Sequence, residues 1–296
     1  MGREIRDCHT GVENLMKVLV TGAAGFVGRH VIPELLKRGH DIIAVDSNLE
    51  KAKELPWYKK VTFHANDIYD ATLDPAGEFG VPDVMIHLAW PGLPNYKELF
   101  HFERNLPNDY NFIKKMIIAG VQHVLVTGTC AEYGMQNGQL SEETITLPSN
   151  PYGLAKDTLR KFLQTLQKKD PFILQWVRLF YMFGTGQNPQ SILAQLDKAI
   201  DNKDAIFNMS GGEQLRDYLP IEEVAKNLVL LIEHPECSDI INCCSGKPIS
   251  IRNLVEKRIA ERGGNIKLNL GFCPYSDYEP MAFWGSRNKL NSIIEK

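Results

Sequence analysis

The sequence predicts an α/β fold, a doubly wound parallel sheet with helices on both faces and a smaller C-terminal lobe. Three observations predict it. Short apolar runs near residues 16–21, 41–45, 61–64, 83–88, 122–127 and 172–177 alternate with helical patterns, and such alternation builds parallel strands joined by crossover helices. A glycine turn, Thr21-Gly-Ala-Ala-Gly-Phe-Val-Gly28, follows the first run at once. Tyr152 and Lys156 stand four apart in the long helical pattern that follows the fifth run.

The first run, Met16, Val18, Leu19 and Val20, leads through the glycine turn into a helix carried by Val27, Val31, Leu35 and Leu36. Gly22 allows the turn, Gly25 lets backbone N–H groups approach a pyrophosphate, and Gly28 lets the helix lie close on the strand. A bound phosphate then sits at the positive end of the helix dipole. Pro33 falls inside this helix, where its missing amide generically costs about 3 kcal/mol, so a kink or a shortened helix is expected. The second run, Ile42 to Val45, ends in Asp46. A carboxylate about 20 residues beyond the turn is placed to accept hydrogen bonds from adenosine ribose hydroxyls. Its charge repels a 2′-phosphate and favours NAD(H), while Ser47, Asn48 and Lys51 leave NADP(H) open.

The fifth run, Val124 to Val126, ends in Thr127-Gly-Thr129-Cys-Ala-Glu-Tyr-Gly134. Hydroxyls therefore stand at the carboxyl end of a parallel strand, where open α/β sheets bind ligands. The helix expected from Tyr152 to Lys169 puts Tyr152 and Lys156 on one face. A neighbouring ammonium favours the phenolate, each pKa unit requiring about 1.4 kcal/mol of differential interaction. An acid/base tyrosine working near neutrality thus needs a close, partly desolvated lysine. After Pro189 the pattern is less regular, with helices expected around 190–201, 221–233 and 250–262. The chain accordingly divides into an N-terminal extension (1–15) with no part in the fold, a dinucleotide-binding body (16–188) and mainly a substrate lobe (189–296), with some exchange of segments.

Composition excludes other classes. The chain has 296 residues, 44% hydrophobic and 23% charged, with net charge −3 and a pI near 6.3, which gives no support for nucleic-acid or membrane-surface binding. No apolar stretch approaches the roughly 20 residues that cross a bilayer. The cysteines at 8, 130, 237, 243, 244 and 273 show no metal-ligand spacing and suit a reducing, cytoplasmic compartment. Cys243 and Cys244 read as buried thiols on a strand, and no histidine pairs with Cys130 as a nucleophile.

Taken together, these motifs resemble the extended short-chain dehydrogenase/reductase family, the NAD-dependent epimerases, dehydratases and reductases of nucleotide sugars, from Met16 to about Leu290. Asn66-Asp67-Ile68 resembles the family's adenine-contacting segment, His87-Leu-Ala-Trp90 the fourth-strand end beside the cofactor, and Asn105 the asparagine opening the next helix. Arg178-Leu-Phe-Tyr-Met-Phe-Gly184 is similar to the segment passing the nicotinamide, and Arg216-Asp-Tyr218 to the motif whose arginine binds a nucleotide diphosphate. The resemblance implies a Rossmann-type body with Thr129, Tyr152 and Lys156 as catalytic residues. It implies cofactor contacts at Gly22, Ala24, Gly25, Phe26, Val27, Asp46, Ser47, Asp67, Ile68, Leu88, Ala89, Trp90, Asn105, Thr127, Tyr152, Lys156 and Phe180. Substrate contacts are implied at Pro91, Thr129, Cys130, Tyr181 and Arg216, no metal is implied, and a homodimer forms through helices near 105–119 and 152–169.

The family's 4,6-dehydratases carry an Asp-Glu pair directly after the catalytic threonine. Cys130 and Ala131 stand there instead, and Glu132 comes one residue too late, which argues against dehydration. Tyr181, where many epimerases have asparagine, and Trp90-Pro-Gly-Leu-Pro94 should crowd a sugar that must turn over, which favours a reductase. Trp90-Pro-Gly-Leu-Pro94 and Gly128-Thr-Cys-Ala-Glu-Tyr-Gly134 also resemble nucleotide-linked 4-keto-6-deoxysugar reductases. A nucleotide-sugar 4-epimerase is the alternative. A dinucleotide-sensing binding protein is the third reading, disfavoured by the presence of both Tyr152 and Lys156.

Overall fold

The computed structural model describes residues 15–295; the extension expected over 1–15 lies almost wholly outside the described residues. Seven strands form the central sheet: β1 (Lys17–Thr21), β2 (Asp41–Val45), β3 (Thr62–His64), β4 (Val84–His87), β5 (His123–Thr129), β6 (Ile173–Leu179) and β7 (Ile240–Cys243). Their order is β7-β6-β5-β4-β1-β2-β3, and every pairing is parallel. The order reverses between β1 and β4, which opens a crevice at their carboxyl ends.

The major helices are α1 (Gly28–Lys37), α2 (Leu106–Ile118), α3 (Pro151–Lys169), α4 (Ile192–Asp201), α5 (Ile221–Glu233), α6 (Ile251–Arg262) and α7 (Asn288–Ile294). Residues Val31, Ile32 and Leu35 of α1, Val224, Leu228 and Leu231 of α5, and Leu290 and Ile293 of α7 form the core on one face of the sheet. Phe112 and Met116 of α2 with Leu159 and Leu163 of α3 cover the other. A sheet covered on both faces needs strands apolar on both sides, which is why β1, β4 and β5 read as continuous apolar runs.

The helix α1 runs through Pro33 to Lys37 and is not shortened there. Pro33 lies on the exposed face, where water can serve the carbonyl it leaves unpaired, and burial of Val31, Ile32 and Leu35 holds the helix to Lys37. Strands β5 and β6 run two residues beyond the apolar runs because their ladder pairs His123 with Ile173 through to Thr129 with Leu179. That register delivers Thr129 to the carboxyl edge.

The smaller lobe has its own core of Leu193, Leu196, Phe207, Ile251, Leu254 and Val255. A three-stranded sheet of Tyr181–Phe183, Leu215–Pro220 and Pro248–Ser250 adjoins it. The chain does not pass from body to lobe once. It returns to the body with α5 and β7, re-enters the lobe with α6, and comes back with α7. Cys243 closes β7 and Cys244 follows it, both buried.

Candidate active site

The glycine turn joins β1 to α1 at the reversal point of the sheet. Gly22 has φ of 67°, and a Cβ there would sit 2.8 Å from the Ala89 backbone nitrogen, so both its conformation and its contact with the β4 crossing require glycine. A Cβ on Gly28 would collide with the carbonyl oxygens of Gly22 and Ala23. The first turn of α1 has no side-chain cap at Val27 and no acidic residue, which leaves amide donors and the positive dipole end for an anion. Asp46 directly follows β2 and accepts the Ala24 N–H at 2.9 Å and the Asn48 N–H at 2.9 Å. This carboxylate beside the uncapped helix end fits a dinucleotide whose diphosphate meets the turn and whose ribose meets Asp46.

Other expected cofactor positions are fixed by local contacts. Thr21 at the end of β1 accepts the Leu88 and Ala89 N–H groups at 3.3 and 3.4 Å. Thr127 donates to the His87 carbonyl at 3.3 Å, and Asp67 accepts the Tyr69 N–H at 2.9 Å. Asn105 is buried and donates to the Pro91 carbonyl at 2.9 Å, tying that loop to α2. Ile68 packs at the margin of the α2–α3 core, Phe26 meets His30 edge-on, and Ser47 is exposed. The Phe180 ring is enclosed with Tyr133 and Phe283.

Thr129, Tyr152 and Lys156 converge across the β5–α3 junction. All three are buried, Lys156 at 2% exposure. Its ammonium donates to the Thr127 carbonyl at 2.9 Å and lies 4.1 Å from the Trp90 ring centre. Burial lowers the Lys156 pKa to about 8, with Asp109 and Glu132 opposing the fall. Burial pushes the Tyr152 phenol above its ordinary value, the Thr129 hydroxyl pulling the other way. This differs from the lowered phenol expected from the lysine four residues on, because desolvation is the larger effect and the sequence does not display it. Trp90 donates to His101 Nδ1 at 3.0 Å and stacks on that ring, and Tyr96 and His101 flank Tyr152.

Three supports were not visible in the sequence. Glu132 accepts the Thr129 N–H at 2.9 Å, the Trp176 indole at 3.0 Å and Arg178 Nε at 2.8 Å, with no solvent exposure. It is committed to holding the β5 end rather than free for chemistry, in keeping with its being one residue too late for dehydration. Asp109 on α2 accepts from Tyr69 at 2.7 Å and meets His87 Nε2 at 2.8 Å. Glu279 meets Arg216 at 3.1 Å and takes the Tyr181 hydroxyl; Arg216 also donates to the Leu215 and Met281 carbonyls. Cys130 is pushed up to about 12 by burial, so it is no thiolate nucleophile near neutral pH.

A glycine turn of this shape, a carboxylate at the end of β2 and a hydroxyl–phenol–ammonium group across the crevice define a dinucleotide-dependent enzyme. A model of the NAD dependent epimerase/dehydratase family matches residues 18–244. The chain is 32% identical over 274 residues to a dTDP-6-deoxy-L-talose 4-dehydrogenase (NAD(+)) of Aggregatibacter actinomycetemcomitans, covering 92% of this chain and 100% of that one. It is 26% identical over 305 residues to a UDP-glucose 4-epimerase of Halalkalibacterium halodurans, covering 94% and 90%. Among solved structures, MoeE5 in complex with UDP-glucuronic acid and NAD is similar with a TM-score of 0.81 at 24% identity, covering 94% of this chain and 92% of that chain. A UDP-glucuronic acid 4-epimerase from Bacillus cereus in complex with UDP-glucuronic acid and NAD gives 0.80 at 23% identity, covering 95% and 93%. The chain belongs to the NAD dependent epimerase/dehydratase family, and its cofactor is NAD. No helix among the described residues is long and apolar enough to cross a membrane.

Proposed function

We propose that this enzyme interconverts the C4 ketone and alcohol of a nucleotide-diphosphate 6-deoxyhexose, working as an NADH-dependent reductase of the 4-keto sugar. The observation that carries the reading is the crowded wall of the site: Trp90 is held by His101 and by the Lys156 ammonium, and Tyr181 by Glu279. Such a wall suits a sugar held in one orientation, whereas an epimerase must present both faces of its keto intermediate. Full-length similarity to a dTDP-6-deoxy-L-talose 4-dehydrogenase supports the same carbon and sugar class.

Bound NADH supplies a hydride to the carbonyl carbon. Thr129 accepts the Ala131 N–H at 3.2 Å, which leaves its hydroxyl proton to hold the substrate oxygen as charge develops there. Tyr152 gives its phenolic proton to that oxygen; burial keeps the phenol protonated until the alkoxide develops beside it. Lys156 stands behind it, its charge favouring the phenolate left by the transfer. Arg216 receives the substrate's diphosphate on its planar fork, which requires Glu279 to yield the guanidinium.

The test is purified protein with dTDP-4-keto-6-deoxyglucose and NADH or NADPH, following the ultraviolet absorbance of the reduced nicotinamide. Stoichiometric loss with NADH preferred supports the reductase. Sugar epimers interconverting with no net loss would replace it by a 4-epimerase, the activity named for the Halalkalibacterium relative. Tyr152→Phe is expected to lower turnover by roughly 10²–10⁴-fold with NAD affinity unchanged; near-normal turnover would remove Tyr152 from the mechanism. We also infer a homodimer through α2 and α3, whose exposed Ile118, Leu154 and Phe162 suit a helical interface, and a cytoplasmic setting that suits the free thiols of Cys130, Cys243, Cys244 and Cys273. Phe162→Glu should shift sedimentation towards monomer.

A further inference from the structure

Asp109 is a buried carboxylate that the proposed chemistry does not use. It has no solvent exposure, and among the described residues no lysine or arginine lies within ion-pairing distance of it. Its two partners are Tyr69, whose hydroxyl donates at 2.7 Å, and His87, whose Nε2 lies at 2.8 Å. The tautomer of His87 follows from its other nitrogen. Nδ1 lies 3.0 Å from Thr21 Oγ1, an oxygen that already accepts the Leu88 and Ala89 N–H groups. Its own proton therefore goes to Nδ1, and Nε2 carries the hydrogen donated to Asp109. Both partners are then neutral, and an uncompensated buried anion is costly.

A cation in the same interior is also short of a partner. The Lys156 ammonium has the Thr127 carbonyl and the Trp90 face and, among the described residues, no carboxylate in direct contact. Glu132, the other buried anion of this region, is already matched by Arg178 at 2.8 Å. Arg104, five residues before Asp109, is exposed and keeps its charge in water. His101 is buried, accepts at Nδ1 from Trp90 and lies against the Asn95 carbonyl through Nε2, an arrangement of a neutral ring.

We propose that Asp109 is a positioning residue of this site: it is the buried counter-charge of Lys156 and, through His87, the anchor of Thr21 beneath the glycine turn. The proposal deepens the hydride-transfer reading above and rests on it for its meaning in catalysis. Opposite charges need no contact to attract across a dry interior, where screening is weak. Of the charges that sustain the Lys156 ammonium against burial, Asp109 comes first and Glu132 second. The chain Asp109–His87–Thr21 reaches the Leu88 and Ala89 amides, so one carboxylate serves both the lysine and the β4 crossing.

The first measurement is a stability cycle, independent of any substrate: urea unfolding of the wild type, Asp109→Asn, Lys156→Met and the double variant. Asp109→Asn is expected to destabilise the wild type and to cost little or nothing when Lys156 is already Met. Additive losses would overturn the pairing. If Asp109→Asn alone fails to fold, the double variant decides: a folded double variant supports the pair, and one no better than Asp109→Asn overturns it. The second measurement is the pH dependence of turnover, or of NAD affinity should the 4-keto sugar not turn over. The wild type should decline above about pH 8 as Lys156 loses its proton. In Asp109→Asn the decline should begin at lower pH; a profile scaled down equally at every pH is the mark of a merely structural role and would overturn the proposal.

Discussion

At Arg178 a guanidinium is buried against the Glu132 carboxylate and the Tyr133 ring and hydroxyl. Removing one partner of such a pair strands the other charge, so Arg178→Met is expected to cost about 3–5 kcal/mol, read as a lower urea midpoint at unchanged slope. Because Glu132 also accepts the Thr129 amide, the variant should lose turnover alongside stability. Nothing in the sequence announces this pair, since its members are 46 positions apart and meet only because β5 and β6 are neighbours. Tyr152 and Lys156 were legible for the opposite reason: helix geometry alone puts residues four apart on one face. Their protonation was not legible, because desolvation depends on what packs over them, and Trp90, Tyr96 and His101 arrive from a loop whose path no short motif describes. Arg216 was legible as a candidate phosphate ligand, but its partner Glu279, 63 residues on, was not.

The helix α1 carries two opposite sensitivities. Gly28→Ala places a methyl group against the Gly22 and Ala23 carbonyls, so it should push the helix off the turn and weaken NAD binding, measurable by titration of the bound nucleotide. Pro33→Ala, on the exposed side, restores a helical amide and is expected to raise stability by roughly 1–3 kcal/mol with NAD affinity unchanged. At this scale the long periodic segments were readable, as α5 over Ile221–Glu233 illustrates. The three-residue strands of the lobe were not. Ile206–Asn208 pairs with Lys267–Asn269, and runs so short carry no periodicity to detect.

The whole molecule has a pH response whose sign follows from its buried groups. Burial pushes up the phenols of Tyr69, Tyr133, Tyr152, Tyr181 and Tyr218 and the thiols of Cys130 and Cys243, to about 12 and about 11. Above the ordinary pKa values the unfolded chain releases these protons while the folded chain keeps them, so stability falls as pH rises. Lys156 acts in the other direction: the unfolded lysine stays protonated where the folded one, at about 8, does not, and its burial penalty lifts with pH. One ammonium faces many phenols and thiols, so the urea midpoint should decline from roughly pH 9 upward. The path of the chain has a separate consequence. Strand β6 lies between β5 and β7, and β7, α5 and α7 all come from beyond residue 188. A piece ending there would hold every residue of the glycine turn and the Thr129–Tyr152–Lys156 group, yet it would turn β6 into an open edge and uncover the apolar face beneath α5. Open edges and bare apolar faces drive self-association, so the dinucleotide half should be recovered as aggregate, and grafting or truncating this enzyme at its apparent sequence boundary should fail.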